Sequence, residues 1–231
     1  MKVYGAKITE NISHLHFNRL CSFLSPERQV RIGKYVRRED SCRSLLAELM
    51  IRQIIRDKLS LPDEEIAFGV NDFEKPYLIR GKDFHFNISH SGCWVVCAVD
   101  RFPVGVDIEM IRPVEDEIAR RFFSAAEYRD LMEKGEAAGR MHHFFTLWTL
   151  KESYLKAVGE GLSRPLESFT IRVGQCKNIS LVTGNGSGDW FFKQYDIDEN
   201  YKMAVCASHG LFPETVEVRD WEYYASYYLN S

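Results

Sequence analysis

Long apolar runs are missing from this sequence. Nowhere in its 231 residues does a stretch approach the roughly 18 apolar residues of a membrane span. The start, Met1-Lys2-Val3-Tyr4-Gly5, leads into charged sequence without the apolar core of a signal peptide. A cytoplasmic protein with no membrane association is therefore expected. An excess of one charge is missing too: 30 Lys and Arg stand against 33 Asp and Glu, a formal net charge of −3. That excludes a global nucleic-acid footprint and leaves only local basic patches to consider. The six cysteines, Cys21, Cys42, Cys93, Cys97, Cys176 and Cys206, contain no CxxC and no zinc spacing. They read as reduced, mostly buried thiols. No linker rich in Pro, Gly or Ser divides the chain. Two halves meeting near Arg101-Phe102-Pro103, residues 1–102 and 103–231, are expected to pack as one unit.

What is present is ordinary globular composition, 45% hydrophobic and 27% charged, with legible punctuation. Residues 3–8 read as a strand. Ser25-Pro26-Glu27 reads as a helix start, with Ser as N-cap and Pro in the first turn. The helix runs to about Tyr35, and a longer amphipathic helix covers 39–59. Short strands follow at 66–70 and 77–79 around the turn-prone Asn71-Asp72, then at 84–88, 94–100 and 104–109. Helical sequence at 118–123 precedes Ser124-x-x-Glu127, a capping box. Residues 144–158 read as a strong helix. Strands are expected at 169–173, 179–182, 190–195 and 203–207, with a glycine-rich loop at 184–188. The aromatic tail from Trp221 to Tyr228 either packs down or stays loose.

Four features carry chemistry. In Gly105-Val106-Asp107-Ile108-Glu109, alternation on a strand puts both carboxylates on one face with α-carbons about 7 Å apart. Such a cradle suits a hard divalent ion shared with phosphate oxygens, although an ordinary half-exposed strand gives the same pattern. In Trp148-Thr149-Leu150-Lys151-Glu152-Ser153-Tyr154-Leu155-Lys156, Glu152 and Lys156 share a helical face with Trp148. A surface pair at this spacing is worth only about 0.3 kcal/mol, but the remaining helix is so apolar that a polar stripe points to a site. Phe86-Asn87-Ile88-Ser89-His90-Ser91-Gly92 reads as a strand ending in a polar turn whose donors suit a phosphate. A Ser/His hydrolase would want a Gly-x-Ser-x-Gly elbow, which is absent. The last feature is the basic run Arg28, Arg31, Lys34, Arg37, Arg38 and Arg43, which reads equally as a solvated helical face.

Taken in order, Asn-Ile-Ser-His-Ser, Gly-Val-Asp-Ile-Glu, Phe122-Phe123-Ser124-Ala125-Ala126-Glu127 and Trp-Thr-Leu-Lys-Glu-Ser-Tyr-Leu-Lys resemble the long, Sfp-type 4′-phosphopantetheinyl transferases over nearly the whole chain. The resemblance implies an α+β fold of two similar halves related by a pseudo-twofold, with coenzyme A in the cleft between them. It implies Mg²⁺ held by Asp107, Glu109 and Glu152, with Glu152 and Lys156 in catalytic roles and Lys156 beside the pyrophosphate. Ser89 and His90 would meet the 3′-phosphate together with Arg28 and Arg31, where relatives often carry Lys. Arg43, Ser44, Lys75 and Lys151 would supply further coenzyme A contacts. Many relatives have Gly-Lys-Pro where this chain has Glu74-Lys75-Pro76, and glutamate adds a side chain and a negative charge there.

The implied reaction moves the phosphopantetheine arm of coenzyme A onto a serine of an apo acyl or peptidyl carrier protein, leaving 3′,5′-ADP. The base is either Glu152 or a metal-bound water held by Glu109. The carrier is expected to dock on residues 110–124, where Ile111, Ile118, Phe122 and Phe123 are apolar candidates that would otherwise fill the core. Two halves in one chain would already supply a complete cleft, so a monomer is expected, with a role in antibiotic and secondary-metabolite synthesis and with carriers of fatty-acid, polyketide or peptide synthesis as its targets. Two other readings use the same residues: a Mg²⁺-dependent nucleotide pyrophosphate hydrolase, and a silent module that binds coenzyme A or carrier.

Overall fold

The computed structural model describes residues 1–9, 12–174, 178–183 and 189–230. Cys176 and the glycine-rich loop expected at 184–188 lie outside the described residues. The first part of the chain runs β1 (Lys2–Lys7), α1 (His14–Ser22), α2 (Pro26–Gly33), α3 (Arg38–Leu59), β2 (Phe68–Val70), β3 (Pro76–Leu78), β4 (His85–Ser91) and β5 (Trp94–Asp100). The second runs β6 (Val104–Met110), α4 (Asp116–Phe122), α5 (Ala125–Met132), α6 (Ala137–Val158), β7 (Phe169–Val173), β8 (Ile179–Thr183), β9 (Phe191–Gln194) and β10 (Tyr201–Ala207). Strand β11 (Glu217–Asp220) and helix α7 (Trp221–Leu229) close the chain. No helix among the described residues is long and apolar enough to cross a membrane.

The fold is α+β, and each half sets one 22-residue helix, α3 or α6, against its own sheet. The two main sheets have the orders β11-β1-β5-β4 and β6-β10-β9, and β2-β3 and β7-β8 pair as separate two-stranded sheets. Every residue of β5 is buried, because its two faces serve two cores. Val95, Cys97 and Val99 join the core under α3. Trp94, Val96 and Ala98 join a middle core with Val104, Val106 and Ile108 of β6 and with Met203 and Val205 of β10. The layers are therefore helix, sheet, sheet, helix, and a strand buried on both faces reads as a continuous apolar run.

Local signals explain most boundaries. Ser25 accepts from the Arg28 N–H with Pro26 in the first turn, and Ser124 and Glu127 complete the capping box of α5. Gly159, at φ 81°, ends α6 in the left-handed conformation that suits glycine. Helix α6 begins two turns before the expected 144, where its first residues are exposed and carry no apolar stripe to betray them. Helix α1, capped by Ser13, was not expected.

Two findings bear on function. Strand β4 runs on through Ser91 where a polar turn was expected after Ile88. The tail packs down: β11 pairs parallel with β1, and α7 lies on α1 and α3 with Trp221, Tyr224 and Tyr228 buried. The last segment thus returns to the body formed by residues 1–102, across the expected division.

Candidate active site

The halves meet along β4 and β6, and the joint is made by side chains. The N–H groups of Val106, Ile108 and Met110 donate to Asn87 Oδ1 at 2.8 Å, Ser89 Oγ at 3.4 Å and Ser91 Oγ at 3.0 Å. Alternation supplies both sides of this seam: residues 87, 89 and 91 share one face of β4. The serines then donate onward, Ser89 Oγ to Asp107 Oδ1 and Ser91 Oγ to Glu109 Oε2, each at 2.8 Å. Asp107 and Glu109 lie on one face of β6, as expected, with Val106 and Ile108 in the core.

Helix α6 brings the rest. Glu152 and Lys156 are one turn apart, and Lys156 Nζ donates to Asp107 Oδ1 at 2.5 Å and to Ser89 Oγ at 3.1 Å. The close approach depends on Gly105, since a Cβ there would lie 2.1 Å from the Ser153 carbonyl oxygen and 2.4 Å from the Ala157 nitrogen. These groups line a cavity of about 460 Å³, whose apolar wall includes Phe122, Trp148 and Leu166. Phe122 meets Trp148 edge-to-face at 5.7 Å.

Negative charge is crowded here. Burial raises the carboxyl of Glu109, and the neighbouring Asp107 raises it further against the pull of Ser91 and Lys156. Burial likewise raises Glu152, with Lys156 opposing and both other acids adding to the rise. Burial alone would lower the Lys156 ammonium, but Asp107, Glu152 and Glu109 more than offset it. Among the described residues, the buried Asp107 Oδ2 has no hydrogen-bond partner. An orphaned carboxylate oxygen amid three acids and one lysine is a donor set that fits a divalent cation. Among the described residues, however, no three such side chains already converge as a metal site.

A second cavity, of about 620 Å³, opens between α2, α3 and the β2–β4 region, lined by Arg28, Arg31, Ser44, Phe68, Pro76 and His90 among others. Ile88 and His90 line both cavities, so the two meet across β4. Arg28 is held by Glu48 at 3.0 Å and donates to the Ser44 backbone and hydroxyl oxygens. The imidazole of His90 is lowered by burial and by the nearby Arg43 and Lys156.

Of the residues singled out by sequence, Arg28, Arg31, Ser44 and His90 gather at the larger cavity and Ser89, Asp107, Glu109, Glu152 and Lys156 at the smaller. Three stand apart. Arg43 pairs with Asp40 and donates to the Gly92 carbonyl at 2.6 Å, on the wall of a third cavity of about 210 Å³. Lys75 turns away from the larger cavity while its neighbours Glu74 and Pro76 line it, and Glu74 has φ 64°, a left-handed conformation that glycine adopts more readily. Lys151 is fully buried, bonded to both carboxylate oxygens of Glu127 and to the Phe169 carbonyl at 2.7 Å each. In the expected docking segment Phe123 is core, Phe122 lines the cleft and Ile118 is exposed. Sequence reasoning gave no role to Asn87, took Ser91 for a phosphate donor in a turn, and passed over Gly105. The first two were legible as Asn-x-Ser-x-Ser in a strand, once that strand is not ended at Ile88.

Residues 103–206 match the family model of the 4′-phosphopantetheinyl transferase superfamily, and residues 11–101 match that of the 4′-phosphopantetheinyl transferase N-terminal region. The chain is 40% identical over 222 residues to the 4′-phosphopantetheinyl transferase Sfp of Bacillus subtilis, covering 96% of this chain and 99% of the relative. It is 29% identical to the mouse L-aminoadipate-semialdehyde dehydrogenase-phosphopantetheinyl transferase, over 79% of this chain and 66% of that one. A solved holo-(acyl-carrier-protein) synthase of Bacillus anthracis in complex with CoA (3′,5′-ADP) overlaps 46% of this chain and 94% of its own, with a TM-score of 0.40 and 18% identity.

Proposed function

Because the chain belongs to the 4′-phosphopantetheinyl transferase superfamily, we propose that it transfers the 4′-phosphopantetheine of coenzyme A to a serine of an apo carrier protein, releasing 3′,5′-ADP. The observation that supports this best is the meeting of two cavities across β4. The larger, lined by Arg28, Arg31 and Arg52 together with Glu27, Glu48 and Glu74, suits the nucleotide end of coenzyme A, with Arg28 and Arg31 toward phosphate. The other presents the acids and Lys156 where a pyrophosphate running past Ile88 and His90 would arrive.

Asp107, Glu109 and Glu152 are the residues that would hold Mg²⁺, whose contribution is to neutralise charge on the pyrophosphate as the phosphoryl group transfers. The remaining chemistry belongs to side chains. The carrier serine attacks the β-phosphorus, a P–O bond forms, and the bond to the bridging pyrophosphate oxygen breaks. Glu152, raised by burial, takes the serine proton. Lys156 stays protonated beside its acids and meets the charge left on the departing 3′,5′-ADP. Ser89 and Ser91 hold Asp107 and Glu109 in place by the hydrogen bonds already described. The carrier docks on residues 110–124, where Ile118 offers an exposed apolar side chain and Phe122 reaches the cleft. Both walls of the cleft come from one chain, so a monomer suffices, working in the cytoplasm on carriers of secondary-metabolite synthesis.

The test is to incubate the protein with coenzyme A, Mg²⁺ and an apo carrier protein and to weigh the carrier. A gain of one phosphopantetheine, abolished by EDTA, is expected. Release of 3′,5′-ADP with no gain in carrier mass would instead make the protein a pyrophosphate hydrolase. No conversion at all would leave a binding module.

A further inference from the structure

Lys75 and Asn71 belong to the tight loop between β2 and β3, and the loop is closed on itself. Asn71 Oδ1 accepts from the N–H groups of Phe73 at 3.0 Å and Lys75 at 2.8 Å. The Asn71 N–H reaches the Lys75 carbonyl at 3.0 Å, and Glu74 takes its left-handed φ of 64° to complete the turn. A loop so fixed holds its outward groups in one direction. Those groups cross to the other half. Asn71 Nδ2 donates to the Gly159 carbonyl at 3.0 Å. Lys75 Nζ donates to the Ala157 carbonyl at 3.1 Å and to the Val104 carbonyl at 3.4 Å.

The acceptors matter. Ala157 and Gly159 carry carbonyls at the C-terminal end of α6, where no further helical N–H satisfies them and where a cation is favoured. Val104 opens β6. One ammonium therefore touches the helix that carries Glu152 and Lys156 and the strand that carries Asp107 and Glu109. Gly159 is shaped for the contact, since a Cβ there would lie 3.0 Å from Lys75 Cδ. Burial pulls the Lys75 ammonium down to about 8. A lysine buried against backbone carbonyls, with Cys206 and His85 nearby and no carboxylate paired to it among the described residues, adds little to stability, which points to a role in geometry.

We propose that Asn71 and Lys75 are positioning residues: they clamp the end of α6 and the start of β6 to the first half, and so fix Lys156 and Glu152 in register with Asp107. The inference rests on the transferase reading above. Neither residue needs to touch coenzyme A for this role.

The experiment compares wild type with Lys75→Met and Asn71→Ala, measuring transfer kinetics, coenzyme A binding by calorimetry, thermal melting and backbone hydrogen exchange over residues 155–159. A displacement of about 1 Å remote from the chemistry costs up to roughly a hundredfold in rate. We expect kcat to fall about tenfold or more in Lys75→Met and several-fold in Asn71→Ala. The dissociation constant for coenzyme A should stay within about threefold, the melting temperature should hold, and exchange at 155–159 should speed up. Weakened coenzyme A binding with unchanged kcat and unchanged exchange would make Lys75 a ligand contact and overturn the clamp. Faster exchange with unchanged kcat would overturn the positioning role. If Lys75→Met does not fold, Asn71→Ala alone decides by the same criteria. A wild type that transfers nothing overturns the transferase reading and this role with it, whereas an active wild type matched by both variants overturns only the clamp.

Discussion

At the scale of single residues, the site is a place where stability is given up. Glu109 and Glu152 are both held above the ordinary glutamate value, first by burial and then by neighbouring acids. Each therefore keeps its proton to higher pH in the fold than in the unfolded chain. Between the ordinary value and the raised one, the folded state binds more protons, so these groups lower stability as pH rises through that window. Glu152→Gln removes one of them with little change of shape. Its melting temperature, measured without divalent ions, is expected to gain on wild type as pH rises from about 4 to 7. At neutral pH the variant should therefore melt above wild type. Transfer should be lost at every pH, because the same carboxylate is the proposed base. Parallel melting curves for the two proteins across that range would falsify the assignment of crowding at Glu152. Gly105 makes the complementary point. Its missing side chain is what lets Lys156 reach Asp107, and nothing in the spacing of Gly-Val-Asp-Ile-Glu announces a helix backbone packed against the glycine.

At the scale of elements, Lys151 shows how one position of a motif can face away from the chemistry. It sits next to Glu152 in sequence, but a helix turns about 100° per residue, which sends it into the core with Glu127. Glu127 accepts from Lys151 Nζ, from the Ser124 N–H at 2.8 Å and from the Ile171 N–H at 2.6 Å. One carboxylate thereby joins α5, α6 and β7. Removing the cation leaves a buried charge, a loss of about 3–5 kcal/mol. Lys151→Met should show it as an earlier midpoint in urea, with the Michaelis constant for coenzyme A unchanged in the protein that remains folded. A normal midpoint with a raised Michaelis constant would return Lys151 to the ligand. The capping box that places Glu127 was legible, as were β5 and β7 to the residue and α2, α3 and β6 to within a residue or two, because caps and alternation are local signals. What escaped was tertiary. Strand β4 outlasts Ile88 because its serines satisfy the backbone of β6, a partner that periodicity does not name.

At the scale of the whole molecule, the two halves are tied by more than the cleft. Lys7 reaches Asp198 at 2.8 Å, and Tyr201 Oη accepts from the Cys93 N–H at 3.0 Å, both across the joint. The largest tie is the returning arm. Strand β11 extends the first sheet along β1, and α7 buries Trp221, Tyr224 and Tyr228 against α1 and α3. Tyr228 Oη donates to Asp63 Oδ1 at 2.6 Å, and Arg56 meets both groups at 2.8 Å. The sequence shows an aromatic tail but not its destination, since nothing local distinguishes a tail that docks on its own neighbour from one that crosses back some 200 residues. Three buried rings at roughly 150–250 Å² each and about 25 cal/mol per Å² amount to a term comparable with a domain's entire net stability of about 5–15 kcal/mol. Deleting residues 217–231 should therefore unfold the first half and with it the larger cavity, read as loss of coenzyme A binding and rapid proteolysis within residues 1–102. Tyr228→Phe, which keeps the ring and loses only its hydroxyl, should cost about 1 kcal/mol and leave binding intact. If the deletion instead melts as wild type and binds coenzyme A, the arm is an ornament on a first half that folds without it, and the core assigned to α7 is wrong.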